Sequence, residues 1–152
     1  MQRMFMTAAW SVGLVLMMGC AQADTQATSD DPTSPGIVLF NITSGPDDPH
    51  AVTMALQLAG HTLDAGRDAV LFFNVRGVEV PITTLPDDLA FGDRPIKELL
   101  QSLMDRGAQV HVCPHCMQAL QVEESALMPG AQVTNRELLF ANITSNTVVF
   151  TY

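Results

Sequence analysis

Positive charge is scarce in this sequence. Of 152 residues only seven are Lys or Arg, against sixteen Asp or Glu, for a formal net charge of −9. A nucleic-acid-binding surface needs a basic footprint to meet phosphates, and this chain has no material for one. Also missing are a Ser-His-Asp arrangement, a phosphate-binding glycine loop and a paired-carboxylate motif, so the chemistries those motifs carry have no anchor here. Long hydrophobic runs are absent too. The longest, Met4 to Met18, is broken by Thr7 and Ser11 and is shorter than the ~20 residues of a membrane span. Disorder throughout is excluded by a hydrophobic fraction of 47%. The length leaves room for one domain, at roughly 100–200 residues per domain.

That apolar run reads as an export signal spanning 1–23. Arg3 gives it a positive start, small residues close it, and it holds five of the nine Met and the single Trp. Two cleavage sites compete at its end. Ala21-Gln22-Ala23 is a small-x-small site that releases a chain beginning at Asp24. Gly19-Cys20 resembles the end of a bacterial lipobox, which leaves Cys20 lipidated and makes a lipid anchor the chain's only membrane contact. Either way the expected location is outside the cytoplasm, in a bacterial periplasm, soluble or anchored. The exported chain carries six basic and sixteen acidic residues, a net −10.

Residues 24–35, rich in Thr, Ser, Asp and Pro, read as a flexible linker. The folded domain is expected over 36–152. Gly36 to Phe40 and Ala69 to Phe73 are continuous apolar runs, as strands buried on both faces are. Between them, Pro49 suits a helix's first turn with Asp48 as cap, the apolar spacing from Ala51 to Thr62 is helical, and Gly66 ends it. The stretch containing Gly77, Pro81 and Pro86 is a loop without an assignable pattern. Ile96, Leu99, Leu100 and Leu103 mark a second amphipathic helix, ended by Gly107. Ala108 to Val112 is a third strand. Beyond it come a helical tendency over 118–128, a short strand over 131–134, a short helix over 135–141 and a closing strand over 147–151. Alternating strands and helices predict a mainly parallel α/β sheet with helices on both faces.

Cysteine is the other scarce residue: three in all, leaving Cys113 and Cys116 in the domain. The third strand runs straight into Cys113-Pro114-His115-Cys116, and in open α/β sheets sites gather at the carboxyl ends of strands. Pro114 fits a helix's first position, so Cys113 is the expected cap, where the helix dipole favours a thiolate. His115 can add a hydrogen bond or a positive charge. A structural disulfide closing so short a loop constrains the unfolded chain little. Structural zinc needs four ligands, and a second CxxC is absent. Cys113 and Cys116, helped by His111, His115 or Met117, nevertheless remain an alternative Cu(I) or Zn site. Covalent haem is excluded because Met117 stands where its motif needs His. No cofactor is implied. Thiol chemistry is the leading expectation, with Cys113 attacking and Cys116, one turn along, releasing product as a disulfide.

CPHC is also the tetrapeptide of some thioredoxin-fold oxidases. In that fold it follows an early strand and most of a domain comes after it, whereas here only 117–152 remain. The order of motifs instead resembles the DsrE/DsrF-like family of small sulfur-relay proteins. The matching pieces are GIVLFNITSGPDDPH (36–50), HTLDAGRDAVLFFN (61–74), Gly77-Val78, LMDRGAQVHVCPHC (103–116) and the closing strand. The resemblance implies a flavodoxin-like α/β fold, assembly as a homotrimer or hexamer, and sulfur-carrier or redox proteins as partners. It also implies that the cysteine at 113 accepts sulfur as a persulfide, as a sulfurtransferase or thiol-disulfide oxidoreductase would. Two departures stand out. Familiar members are cytoplasmic, and Cys116 adds a second thiol that turns a carrier toward a reductase.

Remaining polar residues have bland readings beside functional ones. Asn41 and Thr43 are candidate substrate-binding residues facing the cysteine; otherwise they hold their loop by side-chain to backbone bonds. Asp47 and Asp48 lie on a loop expected to open on the same sheet edge as Cys113 and could flank a site, but capping of the helix at Pro49 is the favoured expectation. His50 and His61 read as surface residues on that helix. His111, between two valines, is expected to pack under a helix or in a subunit contact. Glu123 and Glu124 read as a solvated face.

Overall fold

The computed structural model describes residues 36–152. The export signal, Cys20 and the 24–35 linker lie outside the described residues. Five strands, β1 (Val38–Ile42), β2 (Ala69–Phe73), β3 (Gln109–Val112), β4 (Ala131–Val133) and β5 (Val148–Thr151), form one sheet in the order β4-β3-β2-β1-β5. Every pairing is parallel. The helices are α1 (Pro49–Asp64), α2 (Ile96–Asp105), α3 (Pro114–Ala119) and α4 (Arg136–Ala141). Among the described residues, no helix is long and apolar enough to cross a membrane.

Local chemistry sets the long helices as the sequence predicts. Asp48 Oδ1 accepts the Ala51 N–H at 3.1 Å with Pro49 at the first helical position, and Gly66 and Gly107 take positive φ beyond α1 and α2. One helix differs from expectation. The helical tendency over 118–128 is realised as α3, which begins at Pro114 and stops after Ala119. Gln121 adopts a left-handed φ of 55°, and the Val122 N–H closes back on the Met117 carbonyl at 2.9 Å. That capping arrangement ends the helix, and only a 3₁₀ turn, Glu124–Ala126, follows.

The core lies between the sheet and α1 and α2. Phe40, Ile42, Leu71, Phe73, Val110 and Val112 point into it and meet Leu56, Ile96 and Leu100, all essentially inaccessible to water. Each such side chain contributes about 1.5–3 kcal/mol by leaving water. The opposite face has a thinner cover. There Gln109 and His111 alternate with the core valines, and Asn142, which ends α4, hydrogen-bonds toward both. Around it Leu138, Phe140, Ile143 and Val149 stay exposed. The chain steps outward from β1 to β4 and returns to the other side of β1, so loops after β1, β2 and β3 open on one carboxyl edge.

Candidate active site

Cys113 continues β3 by one residue, its N–H donating to the Phe73 carbonyl at 2.9 Å, and it is also the N-cap of α3. Its side chain makes no capping hydrogen bond, so the sulfur is not committed to holding the helix. Pro114 occupies the first turn, where its missing N–H costs nothing. Cys116 follows one turn on. Both thiols are free and half-buried. His115, between them, is exposed and has no hydrogen-bond partner among the described residues.

Cys116 is held from outside α3. The Val75 N–H donates to Cys116 Sγ at 3.2 Å. Val75 opens a 3₁₀ turn, Val75–Glu79, directly after β2, and it has a φ of 50°, a conformation that β-branched residues rarely accept. Burial pushes the Cys116 thiol up from its ordinary range; Val75's N–H opposes this, and the hydrogen bond and charge of Cys113 add to it. Cys116 is therefore harder to ionise than an ordinary thiol. Beside it a shallow cleft of about 190 Å³ is lined by Val75, Arg76, Cys116, Ala119 and Leu120. Arg76, the cation at that cleft, is engaged with Glu79 at 2.9 Å and lies 3.6 Å from Asp47. A larger hollow of about 610 Å³ lies along α3 by Pro114, Gln118 and Gln121, bordered by Glu123 and Glu124.

The structure brings Cys113, His115 and Cys116 onto one short segment and gives the other candidates supporting positions. Asn41 Oδ1 accepts a hydrogen bond from Asn74 Nδ2, fixing the residue before Val75. Thr43 Oγ1 donates to the Tyr152 carbonyl at 2.7 Å, and the Thr43 carbonyl accepts the Gly77 N–H at 3.1 Å. Asp48 caps α1, as expected, while Asp47 faces Arg76. His50 stacks on Phe91, with ring centroids 4.0 Å apart, and His61 stays on the surface near Asp64. His111 is buried, its Nδ1 unpartnered, and burial lowers its pKa. Among the described residues, no three His, Cys, Asp or Glu side chains are grouped so as to hold a metal ion.

Sequence reasoning missed the turn Asn74–Gly77. The one signal available was Gly77, which the backbone demands: a Cβ there would collide with the Ile42 carbonyl.

A parallel α/β domain presenting a CxxC pair at a strand's carboxyl end defines the class. Within it, the chain belongs to the DsrE/DsrF-like family, whose model matches residues 37–149. Solved structures agree on the fold. The ychN protein from E. coli superposes with a TM-score of 0.60 at 17% identity, covering 76% of this chain and 98% of that one. A protein of unknown function, MTH1491 from Methanobacterium thermoautotrophicum, gives 0.59 at 14% identity, covering 77% and 99%. No curated protein matches the chain.

Proposed function

We propose that this is an exported sulfur-relay protein that carries sulfane sulfur as a persulfide on Cys113, with Cys116 as the resolving thiol. The observation that carries the reading is the pair itself: a Cys113 sulfur at the end of β3 that takes no part in capping α3, and one helical turn away Cys116, held in place by the Val75 N–H. Family membership supports it.

In this scheme the Cys113 sulfur attacks a sulfane-sulfur donor and takes its terminal sulfur, while the donor leaves with the bonding electron pair. Transfer to a thiol acceptor regenerates Cys113. Alternatively, Cys116 attacks the Cys113 Sγ; the Cys113–Cys116 bond forms, the bond to the outer sulfur breaks, and sulfide leaves. Two thiols are then oxidised and one sulfane sulfur reduced, and a dithiol protein must supply two electrons to reopen the pair. His115, exposed between the two cysteines in the sequence, would meet the incoming partner. The exposed apolar side chains of α4 and β5 support self-assembly as a homotrimer or hexamer.

Intact mass of Cys116→Ser, before and after inorganic tetrasulfide and with the thiols alkylated, tests the reading. Mass gained in whole sulfur atoms on Cys113 is the expected result. A Cys113 that remains an unmodified thiol sinks it. A disulfide that cycles without added sulfur in the native protein points to a plain dithiol oxidoreductase, and co-purified copper or zinc points to a metal-binding protein.

A further inference from the structure

The turn after β2 carries an unusual conformational cost. Val75 is β-branched and more than half exposed, yet it sits at a φ of 50°. Left-handed conformations in non-glycine residues persist where the surroundings over-determine them, and they cluster at functional sites. Here the surroundings are clear. The Asn74 N–H donates to the Ile42 carbonyl at 3.0 Å, and its side chain is tied to Asn41. Gly77 donates to the carbonyls of Thr43 and Asn74, and packs so close to Ile42 that no side chain fits. These ties fix the peptide between Asn74 and Val75, and its N–H points at a sulfur of another element, 3.2 Å from Cys116 Sγ.

We propose that Val75 is the positioning residue of the resolving step, its strained backbone N–H holding Cys116 Sγ and stabilising the thiolate that forms there on loss of its proton and then attacks the persulfide sulfur on Cys113. The proposal rests on the reading of Cys113 as carrier and Cys116 as resolving thiol. A hydrogen bond to an ionised sulfur is stronger than one to a neutral thiol, so this donor does more for the attacking species than for the resting one. The side chain of Val75 has no part in this. The donor belongs to the backbone, and Asn41, Asn74 and Gly77 serve to aim it. Bond changes in the step are unchanged: Cys116 Sγ bonds to Cys113 Sγ, the outer sulfur leaves as sulfide, and the proton already lost by Cys116 balances its charge.

The experiment separates loading from closure. Full-length protein is treated with inorganic tetrasulfide; sulfur loaded on Cys113 is read by mass in the Cys116→Ser background, and closure by sulfide release with disulfide formation in the native background. Residue 75 is then replaced by its α-hydroxy acid, which exchanges the N–H for oxygen and keeps the side chain. Loading is expected to stay within about twofold of the amide form, and closure to slow at least tenfold, the size of one lost charge-assisted hydrogen bond. Val75→Gly, which keeps the N–H and accepts the same φ, should close within about threefold of native. Equal closure rates for ester and amide overturn the proposal and leave the relay reading intact. Loading and closure slowed alike, or Val75→Gly closing tenfold slower at an unchanged melting temperature, also overturn it. No loading on Cys113 in the Cys116→Ser background overturns the relay reading, and the proposal with it.

Discussion

Gly77 packs against the Ile42 carbonyl so closely that a Cβ would run into the oxygen, while its own N–H donates to the Thr43 carbonyl at 3.1 Å. The turn that presents Val75 to Cys116 is thus locked to the end of β1. Gly77→Ala forces the two backbones apart where neither is free to move, and overpacking of that kind costs about 1–3 kcal/mol. The expected outcome is a loss of at least about 2 kcal/mol in chemical denaturation, together with a change in the alkylation rate of Cys116. A variant as stable as the native protein would show that the turn is not locked.

The end of α3 makes a prediction of opposite sign. Gln121 occupies the left-handed position after the helix cap, exposed, with its N–H on the Gln118 carbonyl at 3.3 Å and the next N–H on Met117. An L side chain there costs about 1–2 kcal/mol that glycine does not pay. Gln121→Gly should therefore stabilise the domain by about 1 kcal/mol, read as a higher denaturation midpoint at an unchanged slope. No gain, or a loss, would mean that the capping turn forms only part of the time.

How far the sequence discloses this molecule follows from which signals are local. Ala69 to Phe73 is an apolar run bounded by polar residues, and it is β2 to the residue. Asp48, Pro49 and Gly66 mark the ends of α1 because caps act through backbone groups three or four residues away. The cysteine pair is legible because CxxC and its preceding strand are contiguous. The turn over Asn74–Gly77 is not, since its reason is a carbonyl more than thirty residues earlier and a sulfur forty-one residues later. Helix α3 is misplaced for a related reason. Propensity over 118–128 is helical, but the alternative of a backbone reversal at Gln121 wins once Met117 is anchored in the core. Asn41 and Thr43 illustrate the limit. Their types announce hydrogen bonding, and only the fold shows that their partners are Asn74 and Tyr152.

His111 gives the domain an acid limit. The ring is buried on the sheet face under α4, with Gln109 Oε1 3.3 Å and Asn142 Nδ2 3.5 Å from Nε2 and nothing on Nδ1. Burial lowers its pKa in the folded state, so below the ordinary value of about 6.5 the unfolded chain binds a proton that the folded one refuses. Stability is complete above that pH and falls as the pH drops beneath it, by up to about 1.4 kcal/mol per pH unit for one proton. Denaturation midpoints between pH 7 and 5 check this. The His111→Gln protein should lose that slope, and a slope equal to the native one would place the responsible group elsewhere.

Cys116 sets a complementary alkaline limit. Cys116 is raised chiefly by burial, with Cys113's hydrogen bond and charge adding to it and the Val75 N–H opposing. A thiol raised in the folded state adds stability at neutral pH, and that contribution disappears as pH climbs past the ordinary thiol value toward the folded one. Removing Cys113 deletes two of the raising influences and leaves burial and the Val75 bond in place. Alkylation of Cys116, resolved from Cys113 by peptide mass, should therefore have its pH midpoint above the ordinary thiol range in the native protein and lower in Cys113→Ala. The alkaline fall in stability should become shallower in the same variant. A midpoint that stays or rises when Cys113 is removed would show that Cys113 is not among the groups holding the Cys116 thiol up.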